Sequence, residues 1–179
     1  MTIHIYYSVA QSTASLTDLA NYSKLPLQAV SRMICIPAVA RGEGLCLQCG
    51  SQKDQVLASL FAGGTIFTTS ETQLNVMMVT ACLMGPLYGI MQQNQDWLVR
   101  HGVSETDAAK LVTSQYMSMV RDSTIRPGVT LEDLIQEQTP GGLNKQALEN
   151  VQQLGVLEAF DKSMCAILAR IEGTSDGSI

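Results

Sequence analysis

The chain changes character near Ser70. Before that point, short β-rich runs alternate with helical ones. After it, the apolar residues recur at spacings of three and four, the signature of helices. The β-rich runs are residues 3–9, 30–36, 45–49 and 65–68. Between them, residues 12–21 read as a helix capped by Ser12 or Ser15. Residues 51–62 read as a second, opened by Ser51-Gln52-Lys53-Asp54 and ended by Gly63-Gly64. Gly42-Glu43-Gly44 reads as a turn. Alternation of this kind implies a small, mostly parallel or mixed sheet.

The second block reads as helices throughout. Residues 74–84 are apolar nearly all round, which marks a buried helix. Pro86 follows Gly85, so the chain kinks or restarts there and runs to Arg100 before His101-Gly102. Ser104 caps a helix to about Arg121, with Ala108, Leu111, Val112, Met119 and Val120 on one face. Arg126-Pro127-Gly128 is a turn, and Thr130 caps a short helix. Two further stripes follow: Leu143, Ala147, Val151 and Leu154, closed by Gly155, then Leu157, Phe160, Met164, Ile167 and Ile171. The expected fold is α+β and mostly α. A partial α/β segment spans residues 1–70, a helical domain 71–173, and a flexible tail 174–179.

At 46% hydrophobic and 15% charged, with nine methionines, the chain carries more apolar surface than one compact monomer needs; an obligate oligomer is one explanation. A net charge of −5 excludes the electrostatic footprint of a nucleic-acid binder. No basic, apolar leader opens the chain, and the run 76–91 is broken by Gly85, Pro86 and Gly89 and is shorter than a membrane span. Five cysteines without a framework spacing fit a reducing cytoplasm.

The catalytic vocabulary is sparse. The sequence has two histidines, in different blocks, and no H-E-x-x-H, so no metal site is expected. Cys46-Leu47-Gln48-Cys49 matches C-x-x-C but falls in a strand, where positions i and i+3 face opposite ways; buried cysteines are the simpler reading. There is no G-x-S-x-G, Walker A or G-x-G-x-x-G motif, and no catalytic residue is expected. The acidic residues Glu132, Asp133 and Glu137 read as a solvated helix face. One motif carries chemical promise: Thr139-Pro140-Gly141-Gly142, placed where a helix begins. Such a turn leaves backbone N–H groups outward at the positive end of a helix dipole, with no Cβ in the way. A carboxylate is its natural guest.

Four landmarks in order resemble the pyrroline-5-carboxylate reductase family. They are Ile5-Tyr6-Tyr7-Ser8-Val9-Ala10-Gln11-Ser12; Met33-Ile34-Cys35-Ile36-Pro37 with Gly42-Glu43-Gly44; Cys82-Leu83-Met84-Gly85-Pro86-Leu87-Tyr88; and Thr139-Pro140-Gly141-Gly142-Leu143-Asn144. The resemblance runs from the late strands of a Rossmann-type domain to the end of a helical dimerisation domain. It implies NAD(P)H-dependent reduction of a cyclic imine to proline, with NADP or NAD as cofactor and an interlocked homodimer or a higher oligomer. It places Thr139, Gly141, Gly142 and Asn144 at the substrate and Cys35 and Ile36 in the cofactor loop.

The departures are specific. The glycine-rich dinucleotide turn has no counterpart here. Cys35 and Ile36 stand where the family has Asn and Thr, and cannot repeat their hydrogen bonds. Cys82-Leu83-Met84 stands where the family has Ser-Gly-Ser, and Asn144 replaces a Thr. A glutamate expected before the Arg126-Pro127 turn is missing. These point to a truncated or diverged reductase, inactive alone, or to a non-catalytic homodimeric binding module on the same scaffold. A diverged site for another small carboxylate or imine is a third reading.

Overall fold

The computed structural model describes residues 14–50, 59, 61 and 63–179; the strand expected at 3–9 and nearly all of the helix expected at 51–62 lie outside the described residues. Two compact units result: one contains the residues up to Cys82 together with Lys162–Ile179, the other Leu83–Asp161.

The first unit is built on three strands: β1 (Ser31–Cys35), β2 (Cys46–Gly50) and β3 (Thr65–Phe67), in the spatial order β1-β2-β3. β1 and β2 are antiparallel, with Cys35 opposite Cys46 and Arg32 opposite Cys49; β2 and β3 are parallel. The sheet is therefore mixed. Helix α1 (Leu16–Ser23) starts at Ser15, whose hydroxyl accepts the Asp18 N–H at 3.0 Å while the Asp18 carboxylate accepts the Ser15 N–H. Of the two caps expected, Ser15 serves. Between β1 and β2 the chain makes a short 3-10 helix, Pro37–Arg41, and turns through Gly42 and Gly44, both at positive φ. Gly44 has two reasons to be glycine, since the Ile36 side chain lies directly over the place of its Cβ.

Helix α2 (Glu71–Ala81) packs on β2 and completes the core with Val30, Met33, Cys46, Leu74, Met78 and Val79. The uniformly buried helix expected at 74–84 is corrected here: Leu74, Met78 and Val79 are buried but Val76 is half exposed, so the helix has an inner and an outer side. Arg32 is also interior, its side chain 3% exposed. Its Nη1 donates to Glu71 Oε1 and Asn75 Oδ1, each at 2.9 Å, and the same Glu71 oxygen accepts the Leu16 N–H. One carboxylate thus ties α1, β1 and α2 together.

In the second unit, α3 (Met84–Arg100) and α4 (Glu105–Ile125) form an antiparallel pair joined at His101-Gly102. The helix break falls at Cys82-Leu83, so Pro86 occupies the first turn of α3, where its missing N–H costs nothing. Counted with its polar interruptions, Glu71–Arg100 is long and apolar enough to cross a membrane, longer than the run 76–91 suggested. Its helix is interrupted, however, and Leu74, Met78 and Val79 are taken up by a protein core. Of the apolar face expected on α4, Ala108 and Val112 are buried within the chain, whereas Leu111, Met119 and Val120 are exposed. Helices α5 (Leu131–Gln136), α6 (Leu143–Gln153) and α7 (Val156–Ile171) complete the chain, the last two separated by Gly155 at positive φ.

Candidate functional site

Two Pro-Gly turns bracket α5. The first, Arg126-Pro127-Gly128-Val129, closes with Val129 N–H donating to Arg126 O at 3.2 Å. The second, Thr139-Pro140-Gly141-Gly142, closes with Gly142 N–H donating to Thr139 O at 2.8 Å, and Gly141 has φ +71°. Proline second, a positive-φ glycine third and a 4→1 hydrogen bond define a type II turn. Gly142 then serves as the N-cap of α6 without any side-chain cap. The first N–H groups of α6 consequently remain available to a guest. Gly142 has little room for a side chain: a Cβ there would lie 2.9 Å from Thr139 O and 3.2 Å from Thr139 Cβ.

Thr139, Gly142 and Asn144 line one cleft of about 320 Å³, together with Glu137, Gln138 and Leu143. Three of the four expected substrate positions are therefore gathered there. Gly141 supplies the turn geometry and faces open space. The sequence reading did not single out Glu137 for this cleft. Its carboxylate would repel an anionic guest were it not paired: Arg126 Nη1 donates to Glu137 Oε2 at 2.8 Å, and Nη2 donates to Oε1. The guanidinium holds the Glu137 carboxyl below the usual carboxylate range, and the pair raises Arg126 in turn. Nothing local in the sequence pairs them, since Arg126 and Glu137 lie eleven residues apart on either side of a short helix.

Cys35 and Ile36 lie in the first unit, at the end of β1 and at the cap of the following 3-10 helix. Cys35 Sγ lies 3.1 Å from Cys46 Sγ, and Ile36 packs over Gly44. Cys46 and Cys49 are both buried. Burial first, and then the neighbouring Cys35 thiol, push Cys46 up to about 12. A second cleft is lined by Arg32, Glu71 and Asn75, which are engaged in the cluster described above, and by Ser15, which caps α1 through Asp18.

A cavity of about 1110 Å³ is an open groove between α3 and α4. Met84, Leu87, Tyr88 and Met91 line one wall, and Tyr116, Met117 and Val120 stand on the other. Met84, Leu87 and Tyr88 belong to the Cys82–Tyr88 landmark; of the three residues that stand in place of the family's Ser-Gly-Ser, Met84 lines this groove. Thr113, Ser114 and Arg121 add a few polar atoms.

The architecture is that of a small mixed sheet continued by long paired helices. Solved structures with this fold include pyrroline-5-carboxylate reductases: the Coxiella burnetii enzyme superposes with a TM-score of 0.81 at 15% identity, covering 97% of this chain and 67% of that one. The Streptococcus pyogenes enzyme gives 0.79 at 15% identity, covering 94% and 67%. The Plasmodium falciparum enzyme, solved with NADP bound, gives 0.68 at 16% identity, covering 83% and 62%. The chain thus shares the pyrroline-5-carboxylate reductase fold over most of its length and spans about two-thirds of the first two enzymes. No protein-family model and no curated protein matches the sequence.

Proposed function

We propose that this chain is a pyrroline-5-carboxylate-reductase-like protein whose Thr139–Gly142 turn binds the carboxylate of a small amino-acid-like ligand. The observation that carries this reading is the type II turn feeding directly into the uncapped N-terminus of α6. A carboxylate seated there meets outward N–H groups and the positive end of the helix dipole. Asn144 offers an amide that can both donate and accept. Arg126 keeps the adjacent Glu137 charge occupied.

No hydride step is assigned to this chain alone. Cys35 and Ile36 offer a thiol directed at Cys46 and a hydrocarbon side chain packed on Gly44, not the amide and hydroxyl that the resemblance associates with the cofactor loop. Within the 179 residues there is also no glycine-rich dinucleotide turn. A thermal-shift titration with L-proline, NADPH and NADH separates the possibilities. Proline should raise the melting temperature, and at a hundredfold excess over its dissociation constant the gain is about 2.7 kcal/mol. The nicotinamide cofactors should leave it unchanged. Gly142→Ala, which crowds Thr139, should abolish the proline shift. A shift with NADPH but not with proline would overturn this assignment and restore a nucleotide site.

The second unit also supports self-association. Tyr88, Met117, Met119, Val120, Leu143 and Leu154 are all more than 60% exposed in the single chain, and Tyr88, Met117 and Val120 line one groove; apolar surface gathered in this way suits an association face. The favoured assembly is a homodimer through the helices that follow Cys82, in a reducing cytoplasm. Sedimentation equilibrium at low micromolar concentration should return twice the chain mass. Charging the exposed face with Val120→Glu should shift the protein toward monomer; a wild-type protein that sediments as a monomer throughout contradicts the assembly.

A further inference from the structure

We propose that Cys35 and Cys46 form a reversible cross-strand disulfide when the protein meets a disulfide oxidant. This inference is independent of the reductase reading, because it rests only on the β1–β2 ladder. The two residues are register partners on antiparallel strands. Directly opposed residues in such a pair have Cα atoms about 4.5–5.5 Å apart, inside the span of about 4.4–6.8 Å that a disulfide bridges. Strand pleat places both side chains on the face away from Arg32 and Cys49, and the sulfurs are already 3.1 Å apart. Closing to a bond of about 2.05 Å asks each side chain to move by about half an ångström.

The two thiols have different roles. Cys35 is only partly buried and can be reached from solvent, whereas Cys46 has no exposed surface. The Cys35 thiolate attacks one sulfur of a small disulfide such as oxidised glutathione. That S–S bond breaks, a mixed disulfide forms on Cys35, and one glutathione thiolate leaves. With Cys35 no longer an ionisable neighbour, one of the influences that keep Cys46 protonated disappears. Cys46 gives up its proton, its sulfur attacks Cys35 Sγ, and the second glutathione leaves. Two protein thiols are oxidised, one disulfide is reduced to two thiols, and the two protons end on the leaving thiolates. In a reducing compartment the resting state is the dithiol, and the bond marks oxidative exposure.

The bond would close the loop that contains the Pro37–Arg41 helix and the Gly42–Gly44 turn, pinning both ends of that segment to the sheet. The test uses the full chain incubated with oxidised glutathione, alkylated and digested with trypsin without reduction. We expect a mass loss of two hydrogens per chain. Peptides 33–41 and 42–53 should be linked, fragmentation should locate the link at Cys46, and dithiothreitol should release it. Cys49→Ser should retain the linked pair and Cys35→Ser should lose it. Because Cys46 is fully interior and its replacement could impair folding, Cys35→Ser is the decisive variant. The oxidised protein should melt several degrees higher than the reduced one. A persistent glutathione adduct on Cys35, a link to Cys49, Cys82 or Cys165, a link between two chains, or no oxidation at all would each overturn the proposal.

Discussion

Replacing Arg32 with alanine is expected to lower the unfolding free energy by about 3–5 kcal/mol. The guanidinium sits inside the first unit, with Nη1 at 2.9 Å from both Glu71 Oε1 and Asn75 Oδ1 and Nη2 at 4.0 Å from Met78 Sδ. Removing it withdraws the cation from Glu71 while that carboxylate still caps the first N–H of α1. It also leaves a void beside Met78, so a packing loss adds to the electrostatic one. The Glu71 side chain is 29% exposed and water recovers part of its solvation, which places the result toward the lower end of that range. Lysine should rescue only part of the loss, because a compact ammonium cannot serve two acceptors in the fixed fork of a guanidinium. Urea denaturation followed by circular dichroism at fixed protein concentration measures this. A loss below about 1 kcal/mol would mean that the pair behaves as an ordinary surface ion pair.

Leu74→Ala is expected to cost about 2–5 kcal/mol, the usual range for deleting a fully interior leucine. Leu74 has no accessible surface and lies on the side of α2 that packs on β2. The neighbouring Val76→Ala serves as the control, since Val76 is 50% exposed on the outer side and should change stability far less. The two variants should differ in denaturation midpoint with a common slope. Equal losses would mean that α2 is buried on all sides, as its composition first suggested.

Local signals in the sequence identified the helix boundaries well. Ser15, Ser104 and Thr130 each accept a backbone N–H three residues on, because a short side-chain oxygen at that position satisfies an otherwise orphan donor. The turns at Arg126-Pro127-Gly128 and Thr139-Pro140-Gly141-Gly142 were equally legible, since proline fixes one φ and glycine alone tolerates the next. The helix start at Met84 was displaced from the expected Pro86 because proline is accepted within a first turn. α4 continues to Ile125, four residues past the expected end at Arg121, because nothing breaks it before Arg126-Pro127.

The candidate site was legible to the same depth and no further. Thr139, Gly142 and Asn144 are close in sequence, so their convergence on one cleft follows from a single turn. Glu137 and its Arg126 partner come together across an intervening helix, which no local pattern encodes. Cys46 invited comparison with Cys49 because the two are close in sequence. Its real neighbour, Cys35, is set by the β1–β2 register. Arg32 is the extreme case: no local pattern marks it as interior, and its meeting with Glu71 and Asn75 helps make its burial tolerable.

Among the described residues, the sequence alone determined the order of elements, most of their caps, the two proline-glycine turns and the change from strands to helices near Ser70. Each of these depends on backbone preferences and hydrogen bonds spanning a few residues. Tertiary structure decided strand direction and register, the inner side of α2, the Arg32–Glu71–Asn75 cluster and the Cys35–Cys46 contact. These depend on which distant surfaces exclude water together, and that free energy is a property of the packed pair, absent from either segment alone.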